Sequence, residues 1–382
     1  MICEKNIQNE EEKKMKTKLL SILMIMVLML TLLTGCGGSG DAAAGDGAAA
    51  AEKVEWKLAS CWADGTFMFE IDAKFCENVE KITGGNFKIT PYGVGQLGAA
   101  TEVFDLVQKG TVQAGGDWPS YWAGYDDGFD LLATTMFNFS GWDYYLWIYE
   151  GGGLEDAYNY MFNQYGMRYY PTVACQMESG IRSNVPIESL EDMQSMKIRL
   201  AGKIQGLVAA KLGITPVSVA ANELYESLQR GVIDAAEYSV PSNDVDLHIE
   251  EVTKYWLTPG WHQTSSVYGA MVNQAAYDAL PAEYQEALDM AAKLTFQEYT
   301  AKYAYNDAEA TKIMIEDYGI QTTTLPEEDM AIIQAAFEEA TAEMCAGSEH
   351  YAHVYESMLN YREHMSLYRE ALGDWGFGTN LD

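Results

Sequence analysis

The side chains that could ligate a transition metal or act as nucleophiles are five histidines, His248, His262, His350, His353 and His364, and six cysteines. Their spacing does not suit either role. No G-x-S-x-G, H-E-x-x-H or phosphate-loop pattern accompanies them, and no two cysteines form a C-x-x-C pair. Cys345, His350 and His353 are close enough in sequence for a zinc site, but they sit in an acidic, helically patterned stretch that reads as a solvated helix. Asp and Glu number 56 against 24 Lys and Arg, so carboxylate pairs like those of glycosidases arise from abundance alone. The formal net charge of −32 argues against nucleic acid, because phosphate binding draws on clustered Lys and Arg. The same field opposes an anionic ligand, with a reach of about 8 Å at physiological salt. Capturing an anion would therefore need a local arginine, whose planar fork grips a carboxylate at two points, or a bound cation.

Those residues must be placed by a folded chain outside the cytoplasmic membrane. Lys16 and Lys18 precede an apolar run, Leu19 to Leu33, that stops at Leu33-Thr34-Gly35-Cys36. This order describes a secretory signal ending in a lipid-attachment cysteine, Cys36. The run is shorter than the ~20 residues that cross a bilayer. Glu10, Glu11 and Glu12 do not suit a basic signal start, so Met15 is the expected first residue and 1–36 the signal and lipobox region. Residues 37–53, mostly Gly, Ala, Ser and Asp, cannot bury enough apolar surface to order themselves and read as a flexible tether. The remaining chain, with 48% hydrophobic and 12% aromatic residues over the whole sequence, is long enough for two lobes.

Helix and strand patterns alternate, which predicts layered α/β structure. Strands are expected at Val54 to Ser60, Phe87 to Tyr92 and Val112 to Gly116. A helix between the first two carries Met68, Ile71, Phe75, Val79 and Ile82 on one face, and Thr83-Gly84-Gly85-Asn86 turns the chain. Ala100 to Asp117 aligns without a gap on Ala221 to Tyr238, with five identities and six conservative replacements. Thr101 and Asn222 are candidate caps, and Lys109-Gly110 and Arg230-Gly231 candidate helix ends. A chance likeness between two helix-glycine-strand units is the bland alternative. As a true repeat, the two copies would bring two strand ends to one cleft, where open α/β sheets bind ligands. Met330 to Met344 and Val354 to Leu372 read as C-terminal helices, with Met358, Tyr361 and Leu367 against a lobe.

Val79 to Gly85, Gly95-Gln96-Leu97-Gly98, Ser189 to Met193 running to Lys197-Ile198-Arg199, and Ala221 to Glu237 together resemble the solute-binding subunits of tripartite ATP-independent periplasmic (TRAP) transporters. Gln176-Met177, Asp234 to Tyr238, Lys254-Tyr255, Pro259-Gly260-Trp261-His262, Leu280-Pro281 and Tyr284-Gln285 resemble the branch that binds 2-oxo monocarboxylates with a metal ion. The resemblance implies a two-lobed, periplasmic-binding-protein-like α/β fold (type II-like), with a ligand cleft between lobes, a long helix spanning both and a helical C-terminus. Lobe I is then 54–175 plus 266–303, and lobe II is 176–265 plus 304–382 with the C-terminal helices. It implies no catalysis.

By the same resemblance Arg199 pairs with the ligand carboxylate, where a surface salt bridge is the plain alternative. Arg182 is a second carboxylate or hinge contact, or another surface residue. Gln176, Glu237 and the Tyr238 carbonyl hold a sodium or calcium ion that bridges the ligand, as oxygen donors suit hard cations. Gln263 stands where the branch usually has an acidic residue, which removes one negative charge from that set. Asp117, Trp118 and Tyr121, with Trp62, are expected at the cleft from the other lobe, the aromatics as walls. The implied function is an extracytoplasmic, lipid-anchored binding protein that takes a small organic carboxylate, a 2-oxo or 2-hydroxy acid, to TRAP permease subunits. A homodimer through the C-terminal helix is left open. The alternative is a carbohydrate-binding lipoprotein of an ATP-driven importer, which accounts for the aromatics but not for Arg199.

Overall fold

The unit that occurs twice in the sequence occurs twice in the fold. The structure, a computed structural model, describes residues 53–217, 219 and 223–372. The signal region with Cys36, nearly all of the tether, and Asn222 lie outside the described residues. In the first copy, helix Val103–Gln108 ends with Lys109 N bonded to Asp105 O at 3.0 Å, Gly110 N to Val107 O at 2.9 Å and Thr111 N to Leu106 O at 2.9 Å. In the second, helix Leu224–Gln229 ends with Arg230 N to Glu226 O at 3.0 Å, Gly231 N to Leu228 O at 3.1 Å and Val232 N to Ser227 O at 2.9 Å. Both glycines are left-handed, φ 70° and 67°, the conformation that lets a helix terminate without a Cβ clash. Thr101 is not the cap. It lies inside a 3₁₀ turn, Ala100–Glu102, and the Glu102 carboxylate accepts from Ala99 N at 2.8 Å. The strands begin later than the pattern suggests, because Val112 N and Ile233 N still bond back to the helix ends.

The strands are β1 Val54–Ser60, β2 Phe87–Tyr92, β3 Ala114–Asp117, β4 Met167–Ala174, β5 Ile181–Ser183, β6 Lys197–Arg199, β7 Thr215–Val217, β8 Ala235–Ala236, β9 Tyr255–Leu257, β10 Val267–Asn273 and β11 Gln321–Thr323. They form two sheets, β2-β1-β3-β10-β4 and β11-β9-β5-β8-β6-β7. Read from its far edge, the second sheet runs β7-β6-β8-β5-β9, with β6 parallel to β7 and β8, and β5 antiparallel to β8 and β9. The first has β1 parallel to β2 and β3, and β10 antiparallel to β3 and β4. Each lobe is thus the same parallel unit closed by one antiparallel strand.

Helix Phe67–Ile82 opens on Thr66, whose hydroxyl accepts from Phe69 N at 3.3 Å. It buries Met68, Ile71, Phe75 and Val79 but leaves Ile82 exposed, because the helix ends there and Thr83 turns it out. The Thr83 hydroxyl then bonds Val79 O at 2.8 Å and Phe87 N at 3.1 Å, leading the chain into β2. The 31-residue helix Ala282–Lys312 spans both lobes. Its first half packs Leu288, Ala291 and Ala292 with Phe75, Val79 and Tyr170 of the first lobe. Farther along, Asn243 Nδ2 donates to Tyr303 OH at 3.2 Å, and the Ser242 hydroxyl donates to Asp307 at 2.6 Å, in the second.

The two C-terminal helices divide between the lobes. Glu327–Gly347 lies on Lys203–Lys211, where Lys211 meets Glu343 at 2.7 Å. Glu349–Leu372 reaches the first lobe, with Ser357 accepting from Trp147 Nε1 at 3.1 Å and Tyr361 OH donating to Asp143 at 3.2 Å. Met358 and Tyr361 are buried, but Leu367, expected in that contact, is exposed. Among the described residues no helix is long and apolar enough to cross a membrane.

Candidate functional site

In the second sheet Arg199 ends β6 opposite Ala236 at the end of β8. Glu237 N continues the ladder, bonding Arg199 O at 3.1 Å. Two neighbouring strand ends therefore deliver a guanidinium and a carboxylate side by side. Arg199 NH1 donates to Glu237 Oε1 at 2.7 Å and to Glu237 O at 2.8 Å, and Nε to Val219 O at 3.4 Å. Among the described residues NH2 has no hydrogen-bond partner. Ala201 N also donates to Glu237 Oε1. Both side chains are almost fully buried. Burial works against the Arg199 charge, but Glu237, Tyr121 and Tyr238 hold its pKa above the usual value. Burial raises the Glu237 carboxyl despite Arg199, and Glu178 adds to the rise.

The crossings between the lobes, at 175–180 and 258–266, bring the other polar groups. Glu178 N bonds Gln263 O at 3.1 Å, which fixes the two side chains together at the cleft floor. Gln263 Nε2 donates to Glu178 Oε2 at 2.9 Å and to Glu237 Oε2 at 3.2 Å, and the Ser266 hydroxyl donates to Glu178 Oε1 at 2.8 Å. His262 Nε2 lies 3.6 Å from Glu178 Oε2 and 3.9 Å from Glu237 Oε2. Burial pushes the Glu178 carboxyl up to about 8, against its Ser266 hydrogen bond, and holds His262 below the ordinary imidazole value. The Gln263 Oε1 and both His262 ring nitrogens are buried without hydrogen-bond partners. Buried polar atoms are rarely left so. Donor atoms of Glu178, Glu237 and His262 lie within 4.8 Å of one another. This set fits a hard cation.

Aromatic rings close the other side. Trp62, Met68, Trp118, Tyr121, Tyr238 and Tyr268 line a cavity of ≈ 30 Å³ with Glu178, Arg199, Ala201 and Gln263. Trp62 packs on Tyr121 and Tyr268 with ring centroids 5.9 and 5.6 Å apart. A larger void, ≈ 580 Å³, is an open groove elsewhere, lined by residues 123–127 with Lys203, Gly347 and Ser348.

Of the residues expected at the site, the structure brings together Arg199, Glu237, Tyr238, Gln263, Trp62, Trp118 and Tyr121. Three lie apart. Gln176 turns toward Gly141, where a Cβ would come 2.9 Å from its Nε2. The backbone pairing of Glu178 with Gln263 sends the later side chain into the cleft instead. Arg182 is buried in a pair with Asp244, at 2.9 and 2.8 Å, with its guanidinium carbon 3.9 Å from the Trp256 ring centre. Asp117 accepts from Tyr169 OH at 2.9 Å and from Trp122 Nε1, away from the cavity. Sequence reasoning missed Glu178, Met68, Ala201 and Tyr268. Glu178 stands only two positions beyond Gln176 in an irregular segment, where no strand alternation marks which side chain faces in.

The family model described as bacterial extracellular solute-binding protein, family 7 (DctP) matches residues 58–348. The monocarboxylate 2-oxoacid-binding periplasmic protein all3028 of Nostoc is 30% identical over 62% of this chain. The match spans 65% of that relative, just under two thirds of its length. A TRAP periplasmic solute-binding protein from Pseudoalteromonas atlantica, solved with sodium and pyruvate, superposes with TM-score 0.77 at 28% identity, covering 84% of this chain and 97% of that one. One from Colwellia psychrerythraea, solved with calcium and pyruvate, gives 0.78 at 27% over the same shares. With its two sheets, cleft and long helix, this chain belongs to the bacterial extracellular solute-binding protein family 7, whose members bind solutes for transport and are not enzymes.

Proposed function

We propose that this chain is the extracytoplasmic receptor of a TRAP transporter for a small 2-oxo or 2-hydroxy monocarboxylate, held jointly by Arg199 and a sodium or calcium ion. The observation that carries the reading is Arg199, whose NH2 has no partner among the described residues, beside the Glu178 carboxylate in one aromatic-walled cavity, with the Glu237 carboxylate on the same guanidinium. A guanidinium edge takes a carboxylate. The oxygens would hold the cation, with His262 beside them, and the cation would supply positive charge to a ligand oxygen. The pyruvate-bound relatives, one with sodium and one with calcium, support the same pairing. Cavity size supports a short ligand. At ≈ 30 Å³ the space is far below the ~300 Å³ and more of drug-sized pockets, so even a short acid with its cation must ease the lobes apart, and a sugar must part them farther. Trp62, Trp118, Tyr121 and Tyr238 exclude water from the bound anion.

The lobes divide at the two crossings, close to 175 and 266, and close on the ligand about them. Closure makes the surface that the permease subunits recognise, and lipid on Cys36 holds the receptor at the membrane. The test is thermal unfolding of residues 54–382 against pyruvate, lactate and sugars, with sodium exchanged for potassium and with or without calcium. Ligand at a hundred times its Kd adds about 2.7 kcal/mol. An ion-dependent shift with the short acids is expected. A shift with sugars alone would replace this reading by carbohydrate capture, and an ion-independent shift would remove the cation from it.

A further inference from the structure

We propose that Asp130 is a positioning residue for ligand capture: from the first lobe it caps the second-lobe helix that follows Arg199, and so couples the two walls of the cleft. The inference rests on the receptor reading above. Helix Lys203–Lys211 starts without a cap of its own. Its N-cap position is Gly202, at φ 97°, where any L side chain is strained and where a Cβ would run into the Gln205 amide. The first backbone N–H groups of a helix need acceptors, usually a Ser, Thr, Asp or Asn at that position. Here the acceptor comes from elsewhere in the chain. Asp130 Oδ1 accepts from Lys203 N at 3.2 Å and Oδ2 from Ile204 N at 3.0 Å.

Asp130 belongs to helix Gly128–Ala133, whose neighbour Phe129 packs with Phe104 and Phe162 of the first lobe. The Asp130 side chain is buried, and it also takes a hydrogen bond from the Ser120 hydroxyl. Ser120 lies between Trp118 and Tyr121, two wall residues. On the other side, Ala201, two residues before Lys203, bonds the Glu237 carboxylate that holds Arg199. One carboxylate therefore joins the aromatic wall to the Arg199 wall, and Lys203 Nζ pairs with Asp127 just outside it. Parting the lobes breaks both cap bonds, so they favour the closed arrangement and hold the helix start beside Arg199 before a ligand arrives.

The test compares wild type with Asp130→Ala and the milder Asp130→Asn, which keeps the size and one acceptor oxygen. Amide hydrogen exchange in the ligand-free proteins should speed up at Lys203 and Ile204 by tenfold or more in Asp130→Ala, with the amides of Gly128–Ala133 unchanged. Asp130→Asn should fall between. With sodium or calcium present, the pyruvate Kd should rise about ten- to a hundredfold, the scale of hydrogen bonds to a charged group, mostly through the off-rate. Equal loss of protection across Gly128–Ala133 with a lower melting temperature would make Asp130 an ordinary core residue and overturn the proposal. No change at Lys203 and Ile204 would also overturn it. Failure of wild type to bind pyruvate would instead sink the receptor reading, and the exchange comparison would still decide the role of Asp130.

Discussion

Gln263 bridges Glu178 and Glu237, its single amide nitrogen reaching one carboxylate at 2.9 Å and the other at 3.2 Å. In the proposed site a bound cation would draw the proton off Glu178, whose carboxylate would then supply, from across the floor, the negative charge that an amide at 263 lacks. Charge count tunes affinity in oxygen-donor sites. Glu178→Gln should weaken the calcium-supported binding of pyruvate by about tenfold or more, and the double change Glu178→Gln with Gln263→Glu should recover most of it. Calorimetric titration with and without calcium reads both. Equal weakening in the single and the double variant would mean that Glu178 acts by shape and not by charge.

Arg199→Ala should abolish measurable pyruvate binding. It should also destabilise the ligand-free protein by about 3–5 kcal/mol, since it strands Glu237 in the interior. Arg199→Met with Glu237→Gln removes both charges and should regain most of the stability while binding stays lost. Urea unfolding and titration calorimetry on wild type and the two variants separate the two roles.

Arg182, with its Asp244 partner and Trp256 beneath it, serves the second lobe's own interior. Arg182→Met should cost about 3–5 kcal/mol of stability by leaving Asp244 unpaired, yet leave the pyruvate Kd of the folded protein within about twofold. A large loss of affinity at unchanged stability would return Arg182 to the ligand site.

Asp72 does not line the cavity but lies behind it, buried against Ser60, whose hydroxyl donates to it at 2.7 Å. Burial raises its carboxyl to about 8, partly opposed by that hydrogen bond and reinforced by Asp117. A raised folded-state pKa means the native protein holds a proton that the unfolded chain releases. Its stabilisation is therefore complete below about pH 4 and lost as the pH climbs through about 8, at up to about 1.4 kcal/mol per pH unit. Asp72→Asn should flatten this part of the stability profile and be more stable than wild type at pH 8. Urea midpoints from pH 5 to 8.5 check it.

Much of this was legible in the chain because local chemistry and tertiary fold agree. Gly110 and Gly231 end equivalent helices at left-handed positions, and the hydrogen bonds that follow them match atom for atom. β1 and β2 begin and end where their patterns do. Arg199, Glu237 and Gln263 were named through the family resemblance, and the fold sets them side by side at the ends of β6 and β8 and on the crossing below. Glu178 went unnoticed beside Gln176, since its place in the cavity follows from the long-range pairing with Gln263 and not from local pattern. Arg182 and Asp117 went astray for another reason: a polar side chain near a cleft can be spent on a buried partner, here Asp244 or Tyr169, and sequence spacing does not reveal which.

The strands that come late in the chain carry a consequence for how the molecule is made. β10, at residues 267–273, lies between β3 and β4 in the first sheet, and β11, at 321–323, borders the second. Neither lobe is a continuous stretch of chain. A growing polypeptide thus has its first sheet split until residue 273 has emerged, and no leading fragment is a finished folding unit. Such non-local pairing delays folding until late in synthesis. For a protein that works outside the cytoplasmic membrane, the strand order itself keeps the chain in a threadable state while it is still being passed across.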